Sequence, residues 1–67
     1  MPLVNIRLLN EDQVPTEKKA ELIARVTEAV AETLGKNPSA TWVILDEVST
    51  ENWGIGGETI AQRREQF

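Results

Sequence analysis

Between Leu3 and Leu9 the chain reads Leu-Val-Asn-Ile-Arg-Leu-Leu, with Val4, Ile6 and Leu8 at every second position and Asn5 and Arg7 between them. A period of two is the period of the two faces of a pleated strand, so a strand is predicted here. Asn10 to Pro15 breaks the pattern with polar residues and a proline. Thr16 is then placed to N-cap a helix, with Glu17 favourably sited in its first turn. Leu22, Ile23, Val26, Ala29, Val30, Thr33 and Leu34 follow the spacing of one apolar helical stripe, while Glu21, Arg25, Glu28 and Glu32 lie off it. Gly35 supplies a left-handed C-cap, and Lys36-Asn37-Pro38 a turn. Thr41 to Val48 is rich in β-branched and aromatic residues and apolar on both faces at its centre, the pattern of a strand buried on both sides.

Strand, helix of about five turns and strand form a crossover unit, which predicts parallel strands joined by a right-handed connection. The helix covers one face of that pair. Val43, Ile44 and Leu45 demand that the second face also be dry, and two strands cannot bury it alone, so another subunit is expected to cover it. The segment from Ser49 to Phe67 passes through Trp53-Gly-Ile-Gly-Gly57 and ends in the charged stretch Gln62-Arg-Arg-Glu-Gln66; two short strands are predicted around the glycines. No repeat or linker divides the chain, and residues 1–67 are read as one α+β domain.

Composition sharpens the expectation of assembly. A chain of 67 residues buries too little surface to be comfortably stable alone. With 0 Cys and 0 His it has neither disulfides nor the usual thiolate or imidazole metal ligands, which leaves oligomerisation as the staple. The excess of 11 Asp and Glu over 7 Lys and Arg, a net charge of -4, has the wrong sign for binding nucleic acid or an anionic membrane. Met1 to Leu9 has no basic segment ahead of a long apolar run, and a cytoplasmic location follows.

The candidate chemistry lies at Pro2. Removal of Met1 is expected when the next residue is as small as proline, and it exposes a secondary amine at the head of a strand. Ordinary α-amino groups titrate near pH ~8; an apolar pocket or a nearby cation disfavours the charged form and tunes such an amine toward proton shuttling at neutral pH. If Met1 stays, that nitrogen is an amide with no basicity. Gly54-Ile-Gly56-Gly57 lacks both a Walker lysine and the dinucleotide fingerprint, and reads as a turn. Asp46 and Glu47, as strand neighbours, point to opposite faces and form no carboxylate pair.

Taken in order, Pro2 opening an apolar strand, a long amphipathic helix, a second apolar strand and then Trp53-Gly-Ile-Gly-Gly-Glu58 resemble the 4-oxalocrotonate tautomerase family over essentially the whole chain. The resemblance implies a short β-α-β subunit with a C-terminal β-hairpin, most often in a homohexamer built as a trimer of dimers. It implies cofactor-independent interconversion of enol and keto acids through the N-terminal proline, which Pro2 matches. Trp53 falls at the family's aromatic wall beside that proline, with an interface aromatic as the equal alternative. Leu9 falls where the family offers substrate a backbone amide, although its side chain reads as core.

The sequence departs from the family at the arginines that bind and polarise a dicarboxylate. One falls in Asp12-Gln13-Val14, in a loop two residues longer than usual, and the other on Trp42. Bidentate recognition of a dicarboxylate therefore lacks its cations. A pocket walled by Trp53 and Trp42 suits a monocarboxylate or an aromatic enol better. Arg7 lies on the strand face opposite Pro2, and Arg63 and Arg64 read as a solvated terminal run that reaches a neighbour's pocket only from a mobile tail. The rival reading, in a different class, is a non-catalytic or specialised assembly subunit that keeps the family's oligomer while having lost its substrate arginines.

Overall fold

The computed structural model describes residues 2–11 and 13–65. The expectations that fall on Met1, Asp12, Gln66 and Phe67 (methionine removal, part of the loop after the first strand, the end of the charged stretch) lie outside the described residues. The fold is small α+β: a parallel strand pair, a long helix across it and a C-terminal antiparallel hairpin.

Strand β1, Leu3–Leu9, pairs in parallel with β2, Trp42–Val48, in a register that sets Leu3 beside Trp42, Arg7 beside Asp46 and Leu9 beside Val48. The period of two holds. Val4, Ile6, Leu8, Val43, Leu45 and Glu47 are half-buried on the side of the helix, whereas Leu3, Asn5, Arg7, Trp42, Ile44 and Asp46 are exposed on the other. Asp46 and Glu47 do diverge: Asp46 faces Arg7 across the ladder, and Glu47 pairs with Lys19 of the helix. The second face of β2, expected to be dry, is therefore open in the single chain. Leu3 is 60% and Trp42 58% exposed there.

Helix α1, Thr16–Leu34, ends as expected on Gly35, whose φ of 65° and ψ of 35° are left-handed. The Lys36 N–H closes the cap onto the Ala31 carbonyl at 3.1 Å. Its start differs from the expectation. The N-cap is Pro15, extended at φ −62° and ψ 152°, with no side-chain cap; Thr16 is already helical. Pro15 needs no N–H partner, and its carbonyl takes the Lys18 and Lys19 amides at 3.0 and 3.1 Å, so the turn is seated without a hydroxyl.

The apolar stripe is only partly covered. Leu22, Val26 and Val30 are half-buried, yet Ile23, Ala29, Thr33 and Leu34 are exposed. The reason is width: the stripe subtends more of the helix than two strands can cover. After α1 the expected turn continues as a 3₁₀ turn, Pro38–Ala40, capped by the Asn37 side chain. The Thr41 N–H donates back to Pro38 at 3.2 Å, which is why β2 begins at Trp42 and not at Thr41.

Beyond β2 the chain forms β3, Gly54–Ile55, and β4, Glu58–Thr59. Their two-residue connection has φ 61° at Gly56 and φ 87° at Gly57, the left-handed pair that only glycine supplies cheaply in a tight hairpin. A short helix, α2, Ile60–Glu65, follows; the sequence reading leaves it out. It is opened by a reciprocal cap. The Gln62 N–H donates to Thr59 Oγ1 at 3.0 Å, and the Thr59 N–H donates to Gln62 Oε1 at 2.9 Å. Arg63 and Arg64 are thus helical through Glu65 and not a free tail, and Arg64 is ion-paired with Glu11 of the loop after β1.

No described residue is fully buried. The chain exposes 5270 Å², whereas a compact monomer of this length exposes roughly 4,200 Å². The surplus, on the order of 1,000 Å², is about what one partner gives to an ordinary interface. The radius of gyration, 15.4 Å, likewise exceeds the value of about 11 Å for a globule of this size.

Candidate active site

Pro2 stands half-buried immediately before β1. Its carbonyl accepts the Trp42 N–H at 2.9 Å, so the parallel ladder holds the proline backbone at the head of the sheet. The same bond places Trp42 at that end, beside Leu3 on the open face. The backbones of two of the sequence-predicted residues, Pro2 and Trp42, are therefore brought together by one strand pair, while the Trp42 side chain lies with Leu3 on the face away from Pro2.

The other two lie at the opposite end. Leu9 closes β1 beside Val48, and the Asn10 N–H extends the ladder to the Val48 carbonyl at 2.7 Å. There β2 gives way to a turn, the Asn52 N–H donating to Ser49 at 3.0 Å, and the chain folds back. Trp53 is held in this return by its carbonyl, which accepts the Ile60 N–H at 2.9 Å, while the Ala61 N–H reaches Thr50 at 3.2 Å. The hairpin and α2 thus act as a brace that fixes the indole's backbone.

A cavity of about 280 Å³ opens at this end, lined by Arg7, Val48, Asn52, Trp53 and Gly54. Its floor is Val48, its wall the indole, and its polar groups a guanidinium and an amide. Arg7 is the residue that sequence reasoning set aside. Alternation does put it on the face away from Pro2, yet the chain returning after Val48 comes round to that side, so that Arg7 and Trp53 line one cavity. The Arg7 side chain is 68% exposed, and its one ion pair among the described residues is long, Nε to Asp46 Oδ2 at 4.0 Å.

Within one chain Pro2 and this cavity do not meet. Five residues of strand at about 3.3 Å each separate Pro2 from Arg7 by roughly 16 Å, more than a small acid spans. A larger hollow of about 560 Å³ flanks α1 at Ala24, Thr27 and Ala31 near Pro38. It holds none of the predicted site residues, and the exposed Glu28, Glu32 and Lys36 give it a rim of mixed charge. No group of three or more His, Cys, Asp or Glu side chains among the described residues is arranged to hold a metal. No helix among them is long and apolar enough to cross a membrane.

Comparison with known proteins gives a uniform picture. The family model described as "Tautomerase enzyme" matches residues 2–63. "Probable tautomerase K2" of Dickeya dadantii (strain 3937) is 58% identical over 66 residues, 98% of this chain and 97% of the relative. The crystal structure of DmpI from Helicobacter pylori superposes with a TM-score of 0.82 at 38% identity, over 96% of this chain and 97% of that one. A heterohexamer 4-oxalocrotonate tautomerase from Chloroflexus aurantiacus J-10-fl superposes with a TM-score of 0.78 at 31% identity, over 92% of this chain and 97% of that one.

Proposed function

The chain belongs to the tautomerase family, whose work is keto–enol isomerisation, and on that premise we propose that its general base is the amine of Pro2 and its substrate a small 2-hydroxy or 2-oxo monocarboxylic acid. The observation that carries the reading is that the family match opens at Pro2, the residue that the ladder bond from Trp42 seats at the head of the sheet. In the ketonising direction the neutral amine takes the enol hydroxyl proton as the carbonyl forms, and the resulting ammonium delivers a proton to carbon. Charge and atoms balance, and no cofactor enters. Trp53 and the exposed Trp42, both supplied by another copy, wall the pocket, exclude water and keep the amine neutral between turnovers.

The reading includes self-association of this single domain, as a hexamer in the cytoplasm. The support is physical: an uncovered apolar face at Leu3, Trp42 and Ile44, and a Trp53 that lies too far from Pro2 to serve it within one subunit. The alternative, an assembly subunit without catalysis, takes its support from the heterohexameric neighbour and from Trp42 standing where a substrate arginine is expected. Intact mass of the native protein, with ketonisation of phenylenolpyruvate and of 2-hydroxymuconate by wild type and Pro2→Ala, separates the two. Loss of Met1 together with turnover that Pro2→Ala abolishes is the expected result. A retained Met1, or turnover of neither enol, sinks the proline mechanism and leaves the assembly subunit.

A further inference from the structure

The cavity at the far end of the sheet has a chemistry of its own. Arg7 offers a planar guanidinium, the side chain best shaped to grip a carboxylate with two parallel hydrogen bonds. Its Asp46 neighbour approaches the Nε edge, at 4.0 Å and with both side chains more than half exposed. A pair so long and so wet holds weakly, and an incoming carboxylate competes with it easily. Trp53 adds a flat apolar wall, Val48 an apolar floor and Asn52 an amide.

The same residues say what is excluded. One guanidinium serves one carboxylate. A second anionic group on the ligand finds no other cation among the cavity's lining residues and meets the Asp46 carboxylate nearby. We propose that Arg7, Asn52 and Trp53 form a binding site for a small planar monocarboxylate, and that this site holds the carboxylate and π face of the enol or keto acid while Pro2 of a second copy moves its proton. The second half rests on the tautomerase reading above. A second copy is required because roughly 16 Å of strand separates Pro2 from Arg7 in one subunit, while among the described residues the sheet of β1 and β2 has two strands and so leaves an edge of each open to another chain.

The test uses the full chain and a ligand that cannot tautomerise. Calorimetric titration with cinnamate, and with cinnamamide as its neutral counterpart, gives binding without chemistry. Cinnamate should bind at least about tenfold tighter than cinnamamide; Arg7→Gln should erase that difference and leave cinnamamide unchanged, and Asp46→Asn should tighten cinnamate a few-fold. In turnover of phenylenolpyruvate, Arg7→Gln should raise KM with little change in kcat. Mixing Pro2→Ala and Arg7→Gln subunits through unfolding and refolding should restore about a quarter of the wild-type kcat/KM, the share of sites that draw an intact Pro2 and an intact Arg7 from different copies.

Cinnamate binding that Arg7→Gln and Asp46→Asn both leave unchanged overturns the site, even where turnover still depends on Pro2. Mixtures that regain nothing overturn its sharing between copies. If wild type turns over neither enol while cinnamate binding still tracks Arg7, the carboxylate site stands and the proline mechanism fails.

Discussion

At the scale of single residues, backbone conformation separates glycines that look alike in the sequence. Gly57 has φ +87° with open space where a Cβ would stand, whereas Gly54 is not left-handed and its nearest atom to such a Cβ is the Glu58 oxygen at 3.7 Å. Gly57→Ala should therefore cost about 1–2 kcal/mol from backbone strain alone, and Gly54→Ala close to nothing. Urea denaturation at a fixed protein concentration measures both, and equal losses at the two positions would refute the turn's geometry as the cause. Pro2 is a different kind of residue: the ladder uses only its carbonyl. Pro2→Ala should leave the circular dichroism spectrum and melting temperature near wild type while removing enol turnover. A variant that melts early would mean that activity was lost through structure.

At the scale of elements, α2 is six residues long, too short to persist without help. Its help is local and nameable: the reciprocal Thr59–Gln62 cap and the ion pair from Arg64 to Glu11. Thr59→Ala removes the hydroxyl that accepts the Gln62 amide and should cost about 1 kcal/mol, felt chiefly as faster hydrogen exchange over residues 60–64. Because Ile60 and Ala61 hold Trp53 and Thr50 by backbone hydrogen bonds, loosening α2 should also loosen the indole and weaken cinnamate binding a few-fold. Unchanged exchange in Thr59→Ala would show that packing, and not the cap, keeps α2 in place.

The whole molecule carries more surface than its length warrants, and the surplus is apolar where it matters. Ile44 is 45% exposed in the middle of the open face, between Trp42 and Asp46. Placing a charge there, as in Ile44→Lys, should split the assembly, seen as a fall in mass by sedimentation equilibrium. Melting of the wild type should rise with protein concentration, as it does whenever association stabilises the folded state. A wild-type chain that sediments as a monomer, with a concentration-independent melting temperature, would contradict both the covered face and a site shared between copies.

Local pattern determined much of this protein. Alternation at Val4, Ile6 and Leu8 specified β1 and which residues share a face with Pro2; the stripe through Leu22, Val26 and Val30, stopped by Gly35, specified α1; Gly56-Gly57 specified the hairpin. The cap of α2 was also legible, as Thr59 with a glutamine three residues on, but that glutamine opens the charged stretch Gln62 to Gln66, whose composition is that of a solvated tail. These features are readable because each depends on neighbours a few positions away. Tertiary structure alone decided that Arg7 shares a cavity with Trp53 and that Pro2 does not. Alternation assigns a face to every strand residue, but which segment later covers that face depends on how the chain turns after Val48 and on α2 holding the return in place. That cavity joins residues more than forty positions apart, and no periodicity in the sequence encodes it.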